Sequence, residues 1–373
     1  MRTPSLIQFG ARAPHPHQRR VGWLLSLTLC LALAPLLLGA CDSGLGTDTG
    51  GGSPSGATPC TGSNCTPGKG AQGVQVFVEP DAGTQPILDA INGATKSVWI
   101  EVYLLTDHDV INALESAANR GVQVRVLLEL HPYGTGSTSP QTVLQELQSA
   151  GVQAEGSNPA FHYTHEKAMI IDGSTLFVMS CNLTYTGLGG GSSPDRDYGV
   201  IDTASADVQE AINIFNADWQ RQTPTLTDPN LVVSPVNARS KLDGLIGGAH
   251  HTLYVEDEEM YDQQSENALI SAAKSGVNVE VILPDSAAQS DGSDVQHLTQ
   301  GGVHVRYLNS SQYPYLHAKL IIADGSEAFV GSENFSTNSL DDNRELGILI
   351  SDQSAISTLN QTFSGDWNNA QDA

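Results

Sequence analysis

A phrase of eight residues is written twice in this 373-residue chain, and the repetition limits the fold more than any other feature. HEKAMIID begins at His165 and HAKLIIAD begins at His317. Each runs into a short apolar stretch and a small-residue loop, VMSCN ending at Asn182 and VGSEN ending at Asn334. His165 and His317, Lys167 and Lys319, Asp172 and Asp324, Ser180 and Ser332, and Asn182 and Asn334 are all 152 residues apart. A His-x-Lys pair arises readily by chance; five polar positions in register do not. The duplication extends in both directions. Pro80 and Pro235, Glu101 and Glu256, and Gly121 and Gly276 are 155 apart, and Arg196 and Arg344, Phe215 and Phe363, and Trp219 and Trp367 are 148 apart. Small changes of offset mean loop-length changes between two copies of one unit, and a period this long is a duplicated half-domain, not a solenoid repeat. The copies span 75–225 and 230–373.

Each copy reads as α/β. An apolar run (VWIEVYLL; TLYVEDEEM) precedes a helical stretch and a second apolar run (RGVQVRVLLE; SGVNVEVILP). Strand, helix and strand in that order imply parallel pairing with crossover helices. In an extended motif segment residues i and i+2 share a face, so His165 projects with Lys167 and His317 with Lys319. The apolar AMII and LII that follow suit strands buried on both faces, and Asp172-Gly173 and Asp324-Gly325 read as hairpin turns.

The first 40 residues are separate. Arg2, Arg12, Arg19 and Arg20 form a basic head without an acid, an apolar run covers 21–38, and LGAC ends at Cys41. Basic head, apolar core and small residues describe an export signal, and LGAC resembles the lipobox of bacterial lipoproteins, in which the Cys is lipidated. The expectation is a signal peptide (1–40), a tether (41–74) rich in Gly, Ser, Thr and Pro, and a lipoprotein held on a bacterial envelope membrane through Cys41. Cys60 and Cys65 in the tether suit a small-loop disulfide in an oxidising compartment, whereas Cys181 in the first motif loop reads as a free thiol. Without the signal's four Arg the chain holds 13 Lys and Arg against 41 Asp and Glu, a net of −28. Two of only six Lys are Lys167 and Lys319. That field opposes a polyanion, because nucleic-acid affinity comes largely from phosphate neutralisation.

Two imidazoles, two ammonium groups and two amides converging in one cleft make a phosphoryl-transfer site without metal. Lys167, Lys319, Asn182 and Asn334 can donate to phosphate oxygens, one neutral His can attack phosphorus, and one protonated His can protonate the leaving alkoxide. Neither copy alone holds both roles. The pattern HxK(x)4D followed by GSxN, present twice, together with the F-x-x-D-W stretches at 215–219 and 363–367, resembles the phospholipase D superfamily. The resemblance implies two similar α/β lobes related by a pseudo-twofold axis, mixed sheets flanked by helices, an active site at the lobe interface and a phosphohistidine intermediate. By the same resemblance His165 is the nucleophile and His317 the general acid, then the base.

The copies differ at informative positions. The second has Gly331 and Glu345 where the first has Met179 and Asp197. The resemblance makes Glu345 and Asp197 candidates to orient a histidine, with the pairing open. Asp172, Asp324, Ser180 and Ser332 read as supports. His162 falls on the opposite face from His165 by alternation. His250 and His251 read as surface residues, and 256–259 (EDEE) as a solvated charge cluster rather than a cation site. Segments 130–140 and 284–294 are candidate substrate loops. The expected activity is hydrolysis of phospholipid headgroups to phosphatidic acid, without cofactor or metal and without a required oligomer. The alternatives are a nuclease of the superfamily and a phosphatidyl transferase of the cardiolipin synthase kind.

Overall fold

The computed structural model describes residues 70–133 and 138–373. The segment read above as an export signal, Cys41, Cys60 and Cys65 lie outside the described residues. The first lobe carries β1 (Gln75–Glu79), β2 (Ser97–Val102), β3 (Gln123–Leu128), β4 (Gln153–Gly156), β5 (Lys167–Ile171), β6 (Thr175–Met179) and β7 (Asp195–Asp202). Its helices are α1 (Gln85–Gly93), α2 (His108–Asn119), α3 (Pro140–Ser149) and α4 (Ser205–Trp219). The second lobe repeats the order with β8 (Leu231–Ser234), β9 (Thr252–Glu256), β10 (Asn278–Pro284), β11 (His304–Leu308), β12 (Tyr315–Leu316), β13 (Leu320–Ala323), β14 (Glu327–Gly331), β15 (Glu345–Ile350) and β16 (Gln371–Asp372). Its helices are α5 (Ala238–Gly248), α6 (Gln263–Lys274), α7 (Ala287–Ser290), α8 (Gly292–Gln300) and α9 (Gln353–Asn369). No helix among the described residues is long and apolar enough to cross a membrane.

The two sheets have matching orders, β1-β7-β6-β5-β2-β3-β4 and β8-β15-β14-β13-β9-β10-β11. Within each lobe, parallel pairing is confined to β2-β3-β4 and β9-β10-β11, where helices provide the crossovers. The motif strands β5 and β13 run antiparallel to β2 and β9 and turn into β6 and β14. Each sheet is therefore mixed. Asp172 (φ 54°) and Gly173 (φ 67°), like Asp324 (φ 53°) and Gly325 (φ 61°), take the left-handed conformation in three-residue hairpin loops, 172–174 and 324–326.

Period-two alternation assigns each motif strand two buried faces. Met169 and Ile171 join the outer core under α1, α2 and α3, and Ile321 and Ala323 the outer core under α5, α6 and α8. Ala168 and Ile170, and Leu320 and Ile322, face inward into one shared core that spans both lobes. The inner faces therefore pack on each other, and α4 and α9 contribute Phe215 and Phe363 to the same core. Burying both faces explains why these strands have no polar side.

Residues 70–74, assigned above to the tether, are part of the fold. Ala71 N–H donates to Leu349 O (2.8 Å), Ser351 N–H donates to Ala71 O (3.0 Å), and Ala71 and Val74 are buried. Docking on the backbone at the end of β15 satisfies amides that a free tether would leave to solvent.

Candidate active site at the lobe interface

The segment entering each motif adds itself to the opposite lobe. Tyr315–Leu316 pair in parallel with Asp195 and Arg196 of β7, and Thr164 forms the matching bridge with Arg344 beside β15. Accordingly His317 N–H donates to Arg196 O (3.2 Å) and His165 N–H to Arg344 O (2.8 Å). Both histidines sit just before their motif strands, because this cross-lobe pairing claims their backbone.

The residue after each of these arginines is the orienting carboxylate, so the histidines pair crosswise. His165 Nδ1 lies 2.9 Å from Glu345 Oε2, and His317 Nδ1 lies 3.0 Å from Asp197 Oδ1. A carboxylate only accepts, so each Nδ1 carries hydrogen and each Nε2 is left for chemistry. Both carboxylates are fully buried and held in turn. Ser339 Oγ (2.7 Å) and Asn343 Nδ2 (3.0 Å) donate to Glu345, and Ser180 Oγ (2.5 Å) donates to Asp197. The shorter Asp197 side chain thus reaches across the interface as Glu345 does. Ser332, the mate of Ser180, accepts Leu346 N–H at 3.1 Å and ties its loop to β15.

Lys167 and Lys319 are buried, and each Nζ donates to the carbonyl of its own motif histidine. Asn182 and Asn334 are also buried, and their side-chain oxygens meet no donor. Asp172 and Asp324 stand at the far ends of the motif strands. Asp172 accepts the N–H groups of Thr95, Lys96 and Ser97 and the Thr95 hydroxyl, and Asp324 accepts those of His250, His251 and Thr252. Met179 joins the outer core, and Cys181 is a fully buried free thiol.

The 256–259 run is not a solvated cluster. Glu256 and Asp257 are buried, because β9 faces the shared core at Glu256 and Asp257 accepts Phe335 N–H and Glu259 N–H. Glu258 enters the site. Its Oε2 is 3.0 Å from Lys319 Nζ and 3.5 Å from His317 Nε2, and Tyr315 OH donates to its Oε1 at 3.2 Å. At the matching position of the first lobe, 155 residues earlier, stands Tyr103. Its ring meets the His165 ring edge-on at 4.6 Å and lies 5.3 Å from Lys167 Nζ. Tyr103 carried no signal in the sequence and Glu258 read only as part of the charged run; comparing the two copies at the 155-residue offset exposes the substitution. His162 is exposed and lines a separate surface cleft with His131 and Arg221.

The two motifs are electrostatically unlike. Burial drives the His165 imidazole down to about 4 against the pull of Glu345, so it is neutral near pH 7. Burial also opposes charge on His317, but the Asp197 and Glu258 carboxylates outweigh it and hold its proton above the usual imidazole range. Burial lowers Lys167 to about 7, whereas Glu258 and Asp197 overcome the same penalty and raise Lys319. Burial works against ionisation of Glu258, yet Lys319 and His317 pull its carboxyl down to about 2.

Behind the site the lobes exchange ion pairs. Arg196 donates to Asp366 (2.6 and 3.2 Å) and to Glu79 O; Arg344 donates to Asp218 (2.9 Å) and to Ser234 O. The aspartates of the two F-x-x-D-W stretches are thus cross-lobe partners. Glu101, Glu166 and Asp218 form one buried group whose oxygens lie within 4.8 Å of one another, the only cluster of this kind among the described residues. Burial raises all three, and repulsion from the neighbouring acids adds to it at Glu101 and at Glu166, which reaches about 8, so protons together with Arg344 account for the group.

The family described as "Cardiolipin synthase, PLD-like domain" matches residues 87–219 and 242–367. Proteins named cardiolipin synthase from Alkalihalophilus pseudofirmus and Halalkalibacterium halodurans are each 25% identical to this chain, over 73% and 74% of it and 61% and 62% of their own lengths. The chain spans about three-fifths of the length of these curated relatives. A phosphatidylserine synthase structure from Haemophilus influenzae superposes with a TM-score of 0.64 at 11% identity, over 82% of this chain and 88% of the other. A polyphosphate kinase from Porphyromonas gingivalis gives 0.63 at 14% identity, over 78% and 46%. These two likenesses concern the fold. With two matched segments that together cover more than half of its length, the chain belongs to the PLD-like, cardiolipin synthase domain family of the phospholipase D superfamily and carries the domain twice.

Proposed function

We propose that this protein transfers a phosphatidyl group between alcohols through a phosphohistidine, in the manner of a cardiolipin synthase. One observation carries the reading: two crosswise-oriented histidines, one held neutral and one held protonated, share an interface with two buried lysines. His165 Nε2 attacks phosphorus, His317 gives its proton to the departing alkoxide, and the same His317 then takes the proton of the acceptor hydroxyl. Lys167, Lys319 and the Asn182 and Asn334 amides bind the phosphate oxygens as their charge grows. The relatives' names favour an alcohol acceptor over water, and so transfer over the hydrolysis expected from the motif pair alone. A phospholipid is the donor under either acceptor.

Export belongs to the same proposal, with Cys41 lipidated and the protein held at a membrane surface. Cys41→Ser should then release the protein from the membrane fraction while leaving its turnover intact.

The deciding experiment incubates the full chain with phosphatidylglycerol vesicles, with and without EDTA, and follows products by mass spectrometry. Cardiolipin and glycerol, formed equally in EDTA, are expected. Phosphatidic acid as the sole product would return the reading to hydrolysis. Inert lipid with cleaved single-stranded DNA would mark a nuclease.

A further inference from the structure

The two half-sites match in almost every contact. Each has a histidine tied through Nδ1 to a carboxylate of the other lobe, a backbone N–H on the other lobe's arginine carbonyl, and a lysine turned onto its own histidine's carbonyl. They part company where the strands β2 and β9 run out, at Tyr103 and Glu258. In the first half a neutral ring stands against His165 and Lys167. In the second a carboxylate stands against His317 Nε2 and Lys319.

We propose that this mismatched pair, Glu258 where the first half has Tyr103, sets the direction of the reaction. Glu258 keeps His317 as the proton donor, and Tyr103 leaves His165 as the nucleophile. Glu258 and Tyr103 are positioning residues, and the proposal rests on the phosphohistidine reading above.

The physical ground is charge and desolvation. A carboxylate 3.5 Å from the reactive nitrogen stabilises the imidazolium in a buried setting where water screens little. It also neutralises the ammonium of Lys319, which otherwise repels a proton on His317. A phenol ring offers His165 no negative charge, and the Tyr103 hydroxyl is occupied in accepting Tyr133 N–H at 2.6 Å. The ring packs edge-on against His165 and sets an uncharged surface where the second half-site has a carboxylate. The ionisable groups acting on His317 are Asp197 and Asp195 from β7, Lys319 ahead of β13, and Glu258 after β9. Those acting on His165 are Glu345 from β15, Lys167 and Lys319, with Glu258 in reach. The inward carboxylates Asp197 and Glu345 answer each other in the two halves; Glu258 and Asp195 do not, since Tyr103 and Asn343 stand at their matching positions, and of the two only Glu258 lies against His317 Nε2. Nothing in the phosphoryl chemistry itself would otherwise choose between two intact motifs.

The test reads the histidines directly, so that it does not depend on a lipid being turned over. Ring-nitrogen and ring-carbon NMR titrations follow His165 and His317 in the wild type, Glu258→Gln, Glu258→Tyr and Tyr103→Phe. Glu258→Gln and Glu258→Tyr should each weaken proton binding at His317 on the order of tenfold and leave His165 in place. Tyr103→Phe, which keeps the ring, should change neither. With bis-p-nitrophenyl phosphate and a dialkyl phosphodiester as probes, the alkaline limb of the pH–rate profile should move to lower pH in Glu258→Gln. The loss should be larger for departure of the alkoxide than for departure of p-nitrophenolate. A His317 titration that is unmoved in both Glu258 variants overturns the proposal, whether or not lipid is a substrate. So does trapped phosphohistidine on His317 of the wild type. A His317 titration that shifts as expected, in a protein inert toward every phosphodiester, would instead defeat the phosphohistidine reading and keep the electrostatic role of Glu258.

Discussion

At the residue scale, the division of labour between the histidines makes concrete demands. His165→Ala should abolish the covalent intermediate, seen as loss of the phosphorylated peptide after acid-free quenching. His317→Ala should lower turnover on the order of 10²–10⁴-fold for an alkoxide leaving group and much less for p-nitrophenolate, which needs no proton. The pH dependence follows from the signs of the two shifts. His165 must be neutral and is held down at about 4, so kcat/KM should rise through that pH on the acid side. His317 must be protonated and is held above the usual range, so the alkaline fall should come above pH 6.5. A profile whose alkaline limb lies below pH 6.5 would contradict this order.

At the scale of elements, the motif aspartates act on strands rather than on substrate. Asp172 gathers three backbone N–H groups at the start of β2, and Asp324 does the same at β9. Asp172→Ala strands donors that no other group replaces, and should lower stability by about 1–3 kcal/mol in urea unfolding. The hydrogen bonds depress Asp172 to about 2, although its partial burial pushes the other way. A depressed carboxyl stabilises above its unfolded value near 3.8 and loses that contribution as pH falls towards 2. The mutant and the wild type should therefore converge in melting temperature as pH drops from 5 to 2.

At the scale of the whole molecule, the two lobes are joined through buried charge as well as apolar packing. Arg344 is nearly inaccessible and ties Asp218 of the first lobe to Ser234 of the second. Arg344→Met should cost about 3–5 kcal/mol, because it leaves the acids around it without their cation. Breaking the ion pair between half-buried Arg306 and solvated Asp372 by Asp372→Asn should cost under about 1 kcal/mol. Glu166 supplies a second check. Burial first, and then Asp218, raise it to about 8, so its favourable neutral state is complete below its ordinary 4.5 and is lost as pH rises through 8. Glu166→Gln removes that titration. Its melting temperature should gain on the wild type by on the order of 5 °C between pH 5 and pH 9 in calorimetry. An unchanging gap would show that Glu166 is ionised throughout.

How much of this was legible beforehand depends on the distance over which each residue acts. Strand order, the hairpins at Asp172-Gly173 and Asp324-Gly325, and the paired His, Lys and Asn positions could be read from the chain, because period, turn chemistry and repeat offset are local properties. The mixed pairing of the sheets follows from the same turns, since a tight hairpin forces antiparallel neighbours onto a parallel core. The crosswise pairing of His165 with Glu345 and of His317 with Asp197 could not be read, because no local signal says which lobe a side chain will face. The same holds for EDEE at 256–259. As a string it is a solvated charge run, and only the packing of β9 against the other lobe buries Glu256 and turns Glu258 onto Lys319. The repeated sequence by itself determined two equivalent half-sites. The tertiary structure made them unequal, because burial removes the water that would have screened one carboxylate from one imidazole.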